Sequence, residues 1–159
     1  MYQPAKIPEV EALMSQARNQ SGTSMVPTSA KGVKALYKHL KQGGTTVILA
    51  DQEPPKQSGQ FAPFFNVPAL TQTLVPRLIQ QTQAQALMIF TLRGSKRATF
   101  DVHIQAVDPD IYSPNLTAAT HALNRSIECA ISEAVEQYQW GYKRFKHQPD
   151  NHTPSLYNH

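Results

Sequence analysis

The chain is poor in cysteine, in charge and in long apolar runs. Cys129 is the one cysteine in 159 residues, so no disulfide can close within the chain, and a reducing, cytosol-facing compartment fits. No stretch approaches the roughly 18 consecutive apolar residues of a spanning helix. The opening, Met1 to Pro8, is too polar for a signal peptide. His39, His121, His147, His152 and His159 show no metal-ligand spacing with cysteine or acidic partners, so neither a metal nor a dissociable organic cofactor is expected. No internal repeat is visible.

What is present suits one folded domain. Hydrophobic residues make up 40% and charged residues 16%, a globular rather than a disordered balance. The net charge of +4 and the pI of about 9.3 favour anionic partners: phosphorylated lipid, an acidic carrier protein or nucleic acid. Nucleic acid is the weakest of these, because the aromatics cluster with prolines instead of interleaving with Lys and Arg as stacking platforms do.

Hydrophobic spacing predicts a helix over 8–20 (Val10, Leu13, Met14, Ala17) and a second over 31–41 (Val33, Leu36, Tyr37, Leu40), closed by Gly43-Gly44. Thr45 to Ala50 is an uninterrupted apolar run, as in a strand covered on both faces. Leu70, Leu74, Leu78 and Ile79 give helical spacing over 69–81, with Pro76 forcing a kink or a start near itself. Residues 86–92 and 99–107 read as a hairpin, the second strand alternating Phe100, Val102, Ile104, Ala106 against Asp101, His103, Gln105. Ser113 and Pro114 signal a last long helix with Ala119, Leu123, Ile127, Ile131 and Val135 inward. Cys129, between Ile127 and Ile131, is expected as a buried structural thiol. The alternation gives an α/β class with a mixed sheet flanked by helices. Residues 1–149 form the domain and 150–159 a loose polar tail.

Chemistry is expected where the run 45–50 ends, since ligands of open α/β sheets sit beyond the carboxyl ends of strands. Asp51 and Gln52 stand there, followed by Pro54 and by Gly59-Gln60-Phe61-Ala62-Pro63-Phe64-Phe65. Asp51 reads either as an orienting carboxylate in a cleft or as a cap on a turn. Gln52 has an amide able to donate to an oxyanion or a phosphate. Phe61, Phe64 and Phe65 line a lipid groove, dip into a membrane interface, or pack in the core. Lys31, Lys34, Lys38 and Lys41 make a stripe that either meets anionic partners or is a solvated face. His103 and Asp108 have H-x-x-x-x-D spacing, but an offset of five along a strand points the side chains to opposite faces, which excludes a catalytic pair. His103 is then expected to face solvent.

Three segments carry a resemblance: Tyr2-Gln3-Pro4, the D-Q-x-P…G-x-F-x-P-F-F run at Asp51 to Phe65, and Gln137-Tyr138-Gln139-Trp140-Gly141-Tyr142-Lys143-Arg144-Phe145-Lys146. Their order and content resemble the C-terminal portion of the bacterial lipid A biosynthesis acyltransferases. The resemblance implies a glycerolipid-acyltransferase-like fold lacking its N-terminal part. It implies an enzyme that moves a fatty acyl chain from an acyl carrier protein thioester to a lipid A precursor. The place would be the cytoplasmic face of the inner membrane. The family's catalytic base, the His of H-x-x-x-x-[DE], precedes its Y-R-P segment, as does the membrane anchor. Both are therefore expected upstream of this chain, which alone should be inactive. By the same resemblance Asp51 and Gln52 support the cleft, and Gln3, Phe61, Phe64, Phe65, Arg144 and Lys146 bind substrate. Gln3 replaces the family's Arg, which puts a phosphate contact there in doubt. Asn66 replaces a Gly, a change that positive φ tolerates. Trp140 and Tyr138 are expected to pack beneath the terminal segment. The competing reading is a non-catalytic module, or degenerate family member, that binds an anionic ligand. A sheet without its first strands should also leave an unpaired edge and apolar surface.

Overall fold

The computed structural model describes Ile7, Glu9, Val10, residues 24–150, Leu156 and Tyr157. Most of the helix expected over 8–20 lies outside the described residues, as does Gln3. The chain divides into two compact units, Met1–Ile48 and Leu49–His159.

In the first unit, helix α1 spans Ala30–Lys41, as its spacing predicts. Ser29 caps it by accepting from the Gly32 N–H at 3.3 Å, and Gly43 beyond its end takes φ +80°, the left-handed region open to glycine. Leu36 is buried while Lys31, Lys34, Lys38 and Lys41 are all exposed, so the lysine stripe is a solvated face.

The second unit contains two separate antiparallel hairpins and two helices, which is the expected α/β class. Strands β1 (Gly59–Phe64) and β2 (Val67–Gln72) pair from Gly59↔Gln72 to Phe64↔Val67. The joining residues, Phe65 and Asn66, take φ 48° and 62°, the paired positive values of a tight hairpin turn. Asn66 thus performs the turn expected of it. Helix α2 is Leu74–Thr82, shorter than predicted, because residues 69–72 belong to β2. Pro76 explains this: its ring would clash with the carbonyl four residues back, so the helix cannot run through Gln72, and its missing N–H is harmless in a first turn. Strands β3 (Leu87–Arg93) and β4 (Phe100–Ala106) form the predicted hairpin. Helix α3 spans Leu116–Ser132 and is capped by Asn115, whose Oδ1 accepts from Thr117 N at 2.9 Å and Ala118 N at 3.2 Å. Ser113, the expected cap, serves the preceding turn instead, accepting from Asn115 N at 3.2 Å.

The core joins Phe64 and Ala69 of the first hairpin, Ile79 of α2, Ile111, and Ala122, Leu123, Ile127 and Ile131 of α3. Val135, expected inward, falls past the end of α3 and is exposed. Cys129 is exposed, not buried. Two residues from Ile127 is roughly 200° around a helix, which is the opposite face.

The largest departure is at Thr45 to Ala50. The segment has no ladder partner among the described residues, and Val47 is 72% exposed and Leu49 66%. Thr46, Ile48 and Ala50 are half-buried, so the segment is covered on one side only. Its uninterrupted apolar content would suit a strand sandwiched on both faces.

Candidate functional site

The tract that begins at Leu49 is tied down on both sides of Asp51 and Gln52. Before them, the Gln72 side chain of β2 donates to the Leu49 carbonyl at 2.8 Å. After them, the Glu53 N–H donates to the Tyr142 hydroxyl at 2.8 Å. The Glu53 carboxylate, with its side chain 7% exposed, accepts from the His147 backbone N–H at 3.0 Å. Pro54 then lies against Gly59, where an added Cβ would sit 2.6 Å from Pro54 Cγ and 2.9 Å from the Thr71 carbonyl. Glycine opens the G-x-F run because this close crossing leaves no room for a side chain. Asp51 ends up half-buried and Gln52 exposed, on a short bridge between fixed points.

The fastening comes from the terminal segment, and Arg144 is its anchor. It is only 2% exposed. Its guanidinium donates to the Leu70 carbonyl at 2.7 Å, Thr71 Oγ1 at 3.0 Å and Asn124 Oδ1 at 3.5 Å, and lies 5.2 Å from the centre of the Phe64 ring. Asn124, fully buried in the middle of α3, donates to the Pro63 carbonyl at 2.7 Å and to Thr71 Oγ1 at 2.9 Å. Bonds from both Nη atoms make the buried cation tolerable, while its buried Nε has no hydrogen-bond partner among the described residues. Burial still lowers the Arg144 pKa, and Tyr138 and Glu53 pull it back up. No carboxylate touches Arg144 among the described salt bridges; Asp51 and Glu53 act on it at longer range.

Tyr138 lies between these charges. Burial, and then the negative charge of Asp51, push its hydroxyl up to about 12, with Arg144 opposing. It is a neutral phenol throughout the physiological range. The His147 Nδ1 lies 3.0 Å from Glu53 Oε1, the oxygen that also receives the His147 backbone N–H. This is the one imidazole–carboxylate contact among the described residues, and its alignment falls short of a hydrogen bond.

The site residues expected from sequence separate by burial. Phe64 is fully enclosed, so it is core, and Phe61 is half-buried. Phe65 is exposed, its ring 5.0 Å from Phe64 and 6.1 Å from Trp140, and its N–H donates to Glu128 Oε1 at 2.8 Å. Trp140, expected beneath the segment, is half-exposed on it, its indole N–H donating to the Val135 carbonyl at 2.8 Å. Tyr138 stacks edge-on to Trp140 at 5.0 Å. An aromatic rim of Phe65 and Trp140 thus flanks the clamped tract. Lys146 is exposed; Arg144, enclosed, has its guanidinium turned inward.

Sequence reasoning missed Asn124, Thr71 and Glu53. A lone Asn among inward apolar positions of α3 was the available signal, since mid-helix Asn is otherwise unfavourable. His103 and Asp108 do not meet: His103 stacks on Phe90 at 5.0 Å, half-buried instead of facing solvent, and Asp108 is held by Arg125 at 2.6 Å. No cluster of potential metal ligands occurs among the described residues, and none of their helices is long and apolar enough to cross a membrane.

Known proteins are similar to this chain along almost its whole length. Residues 1–147 match the family model of bacterial lipid A biosynthesis acyltransferases. A lipid A biosynthesis acyltransferase of Haemophilus influenzae is 29% identical over 99% of this chain and 51% of its own length. The lipid A biosynthesis lauroyltransferase of Escherichia coli is 28% identical over 99% and 51%, and the palmitoleoyltransferase of the same organism 25% over 98% and 50%. The chain spans about half the length of the curated relatives it matches. Its helices and small antiparallel sheets agree with an acyltransferase-like α/β fold. The chain belongs to the bacterial lipid A biosynthesis acyltransferase family.

Proposed function

We propose that this chain forms the substrate wall of an acyltransferase that moves a fatty acyl chain from acyl carrier protein to a lipid A precursor at the cytoplasmic face of the inner membrane. The observation that carries the reading is the double fastening of Asp51 and Gln52 by β2 and by the terminal segment. Such preorganisation suits groups that must orient a reacting partner. Gln52, exposed, offers an amide to the thioester oxyanion or to a phosphate. Asp51 orients the acceptor hydroxyl or the base. Phe65 and Trp140 present an apolar rim to the acyl chain, with Phe61 behind, while Phe64 supports them from the core. Lys146 meets a phosphate of the acceptor, and Arg144 positions the wall without touching substrate. Gln3 belongs to the same reading as a neutral contact.

The transferred hydroxyl proton needs a base. Among the described residues the imidazole that meets a carboxylate is His147, which faces Glu53 in a poorly aligned contact. We place the base in a segment beyond the wall, so the chain alone should not turn over. The purified chain, given acyl carrier protein thioester and a lipid A precursor, is expected to release no thiol above background. Turnover that disappears in H147A would overturn this and make the His147–Glu53 pair the base.

A further inference from the structure

The outer face of the β3–β4 hairpin is apolar and open. Alternate positions of a ladder share a face, and one face is Leu87, Ile89, Thr91 and Arg93 opposite Ala106, Ile104, Val102 and Phe100. Leu87, Ile89, Phe100, Val102 and Ile104 are each between 52% and 64% exposed. The inner face is mixed, with Met88 opposite Gln105 and Phe90 opposite His103. The alternation is therefore inverted: the better hydrophobic face points outward. Together these side chains reach the few hundred Å² at which an apolar patch marks an interaction site. Its only charge is Arg93 at one end, folded over the Phe100 ring at 5.8 Å. An apolar sheet face of this kind fits an apolar helix or sheet face.

We infer that this face seats the polypeptide that makes up the other half of the relatives' length. Each of the relatives in Haemophilus influenzae and Escherichia coli described above carries about as many residues again as it shares with this chain. A partner of domain size therefore accompanies this sequence in them. The inference rests on family membership and not on the acyl-transfer reading.

The test uses the full chain and, as a separate tagged polypeptide, the half of the Haemophilus influenzae relative that the chain does not match. Co-expression is expected to give a 1:1 complex by size-exclusion chromatography with light scattering. Ile104→Glu and Phe100→Ser should each weaken it at least tenfold while leaving the circular dichroism of the chain unchanged; Lys31→Glu should leave the complex intact. Complex formation needs no turnover, so it holds or fails independently of catalysis. A chain that stays a monodisperse monomer beside the second polypeptide would overturn the inference. So would a complex indifferent to both substitutions. Self-association, or adsorption to phosphatidylglycerol vesicles, that Ile104→Glu abolishes while the second polypeptide does not bind would assign the face to another occupant.

Discussion

The β1–β2 hairpin sends Phe64 and Ala69 into the core and is closed over by α3, while the β3–β4 hairpin turns Ile89, Val102 and Ile104 outward. Both are antiparallel and of nearly equal length, six and seven residues per strand. Propensity favours the second, for β1–β2 carries Gly59, Pro63 and Pro68 while β3–β4 is richer in Ile, Val, Phe and Thr. The difference lies in what reaches them from elsewhere in the chain. Arg144 and Asn124 bind the carbonyls and the Thr71 hydroxyl of the first hairpin from 53 to 74 residues away. The second hairpin is held at its ends: Gln137 accepts from Arg93 N at 2.6 Å, and Ser126 Oγ accepts from Asp108 N at 2.8 Å just past β4. One hairpin is enclosed by the rest of this chain, and the other keeps an apolar face exposed.

The largest effect should come from cutting the lock on the enclosed hairpin. Arg144→Ala removes the guanidinium donor from the Leu70 carbonyl, leaves Thr71 and Asn124 with their bonds to each other, and opens space against Phe64. The expected loss is about 3 kcal/mol. Urea unfolding followed by circular dichroism measures it. A loss under about 1 kcal/mol would mean that α3 alone closes β1–β2 and that the terminal segment merely rests on it.

A smaller effect separates the hairpins by pH. Asp108 sits where β4 leaves for α3 and pairs with Arg125 at 2.6 and 3.0 Å. The Arg125 hydrogen bond, and then the Asp110 N–H, hold its carboxyl below the ordinary 3.8 against the opposing effect of burial. A depressed carboxylate stabilises the fold above its unfolded value and loses that contribution as pH falls through its folded value. Both side chains are partly exposed, so solvent screening limits the gain to about 0.5 kcal/mol. Asp108→Asn should cost that much at pH 7, and the difference should narrow below pH 3.8 and close in stronger acid. A constant difference across that range would show that the charge of Asp108 is not the source of the contribution, since asparagine keeps an oxygen able to accept from Asp110 N.

Much of this was legible in the sequence where a local rule decides. The hairpin over 86–107, α1 with Gly43-Gly44 at its end, and the inward Ala119, Leu123, Ile127 and Ile131 follow from period and turn chemistry. The adjacency of Asp51-Gln52-Glu53 to the terminal segment was legible only as two motifs of one family; their contact through Tyr142 and His147 spans 89 and 94 residues and leaves no local trace. Arg144 was misjudged for a physical reason. Arginine in a basic run reads as a surface group, and only Asn124 and the carbonyls of β2, invisible to periodicity, make a buried site for it. Thr45 to Ala50 and the outer face of β3–β4 were misjudged for the opposite reason. Their apolar residues are patterned for neighbours that the described residues do not supply.

The smallest expected effect is also the sharpest test of the contrast. Ile104→Thr keeps a β-branched side chain at a strand position and removes apolar surface that is already 62% exposed. In the chain alone it should change unfolding stability by less than about 0.5 kcal/mol, as surface substitutions usually do. At a closed position such as Ile127, 5% exposed, the loss of apolar burial and the stranded hydroxyl should together cost about 2–3 kcal/mol. If Ile104→Thr instead costs as much as Ile127→Thr in the isolated chain, the outer face is already covered, and the two hairpins are alike. If it costs little alone but destabilises the complex with the second polypeptide, the same side chain is surface in one setting and core in the other. Its outward pattern would then be selected by the assembled protein.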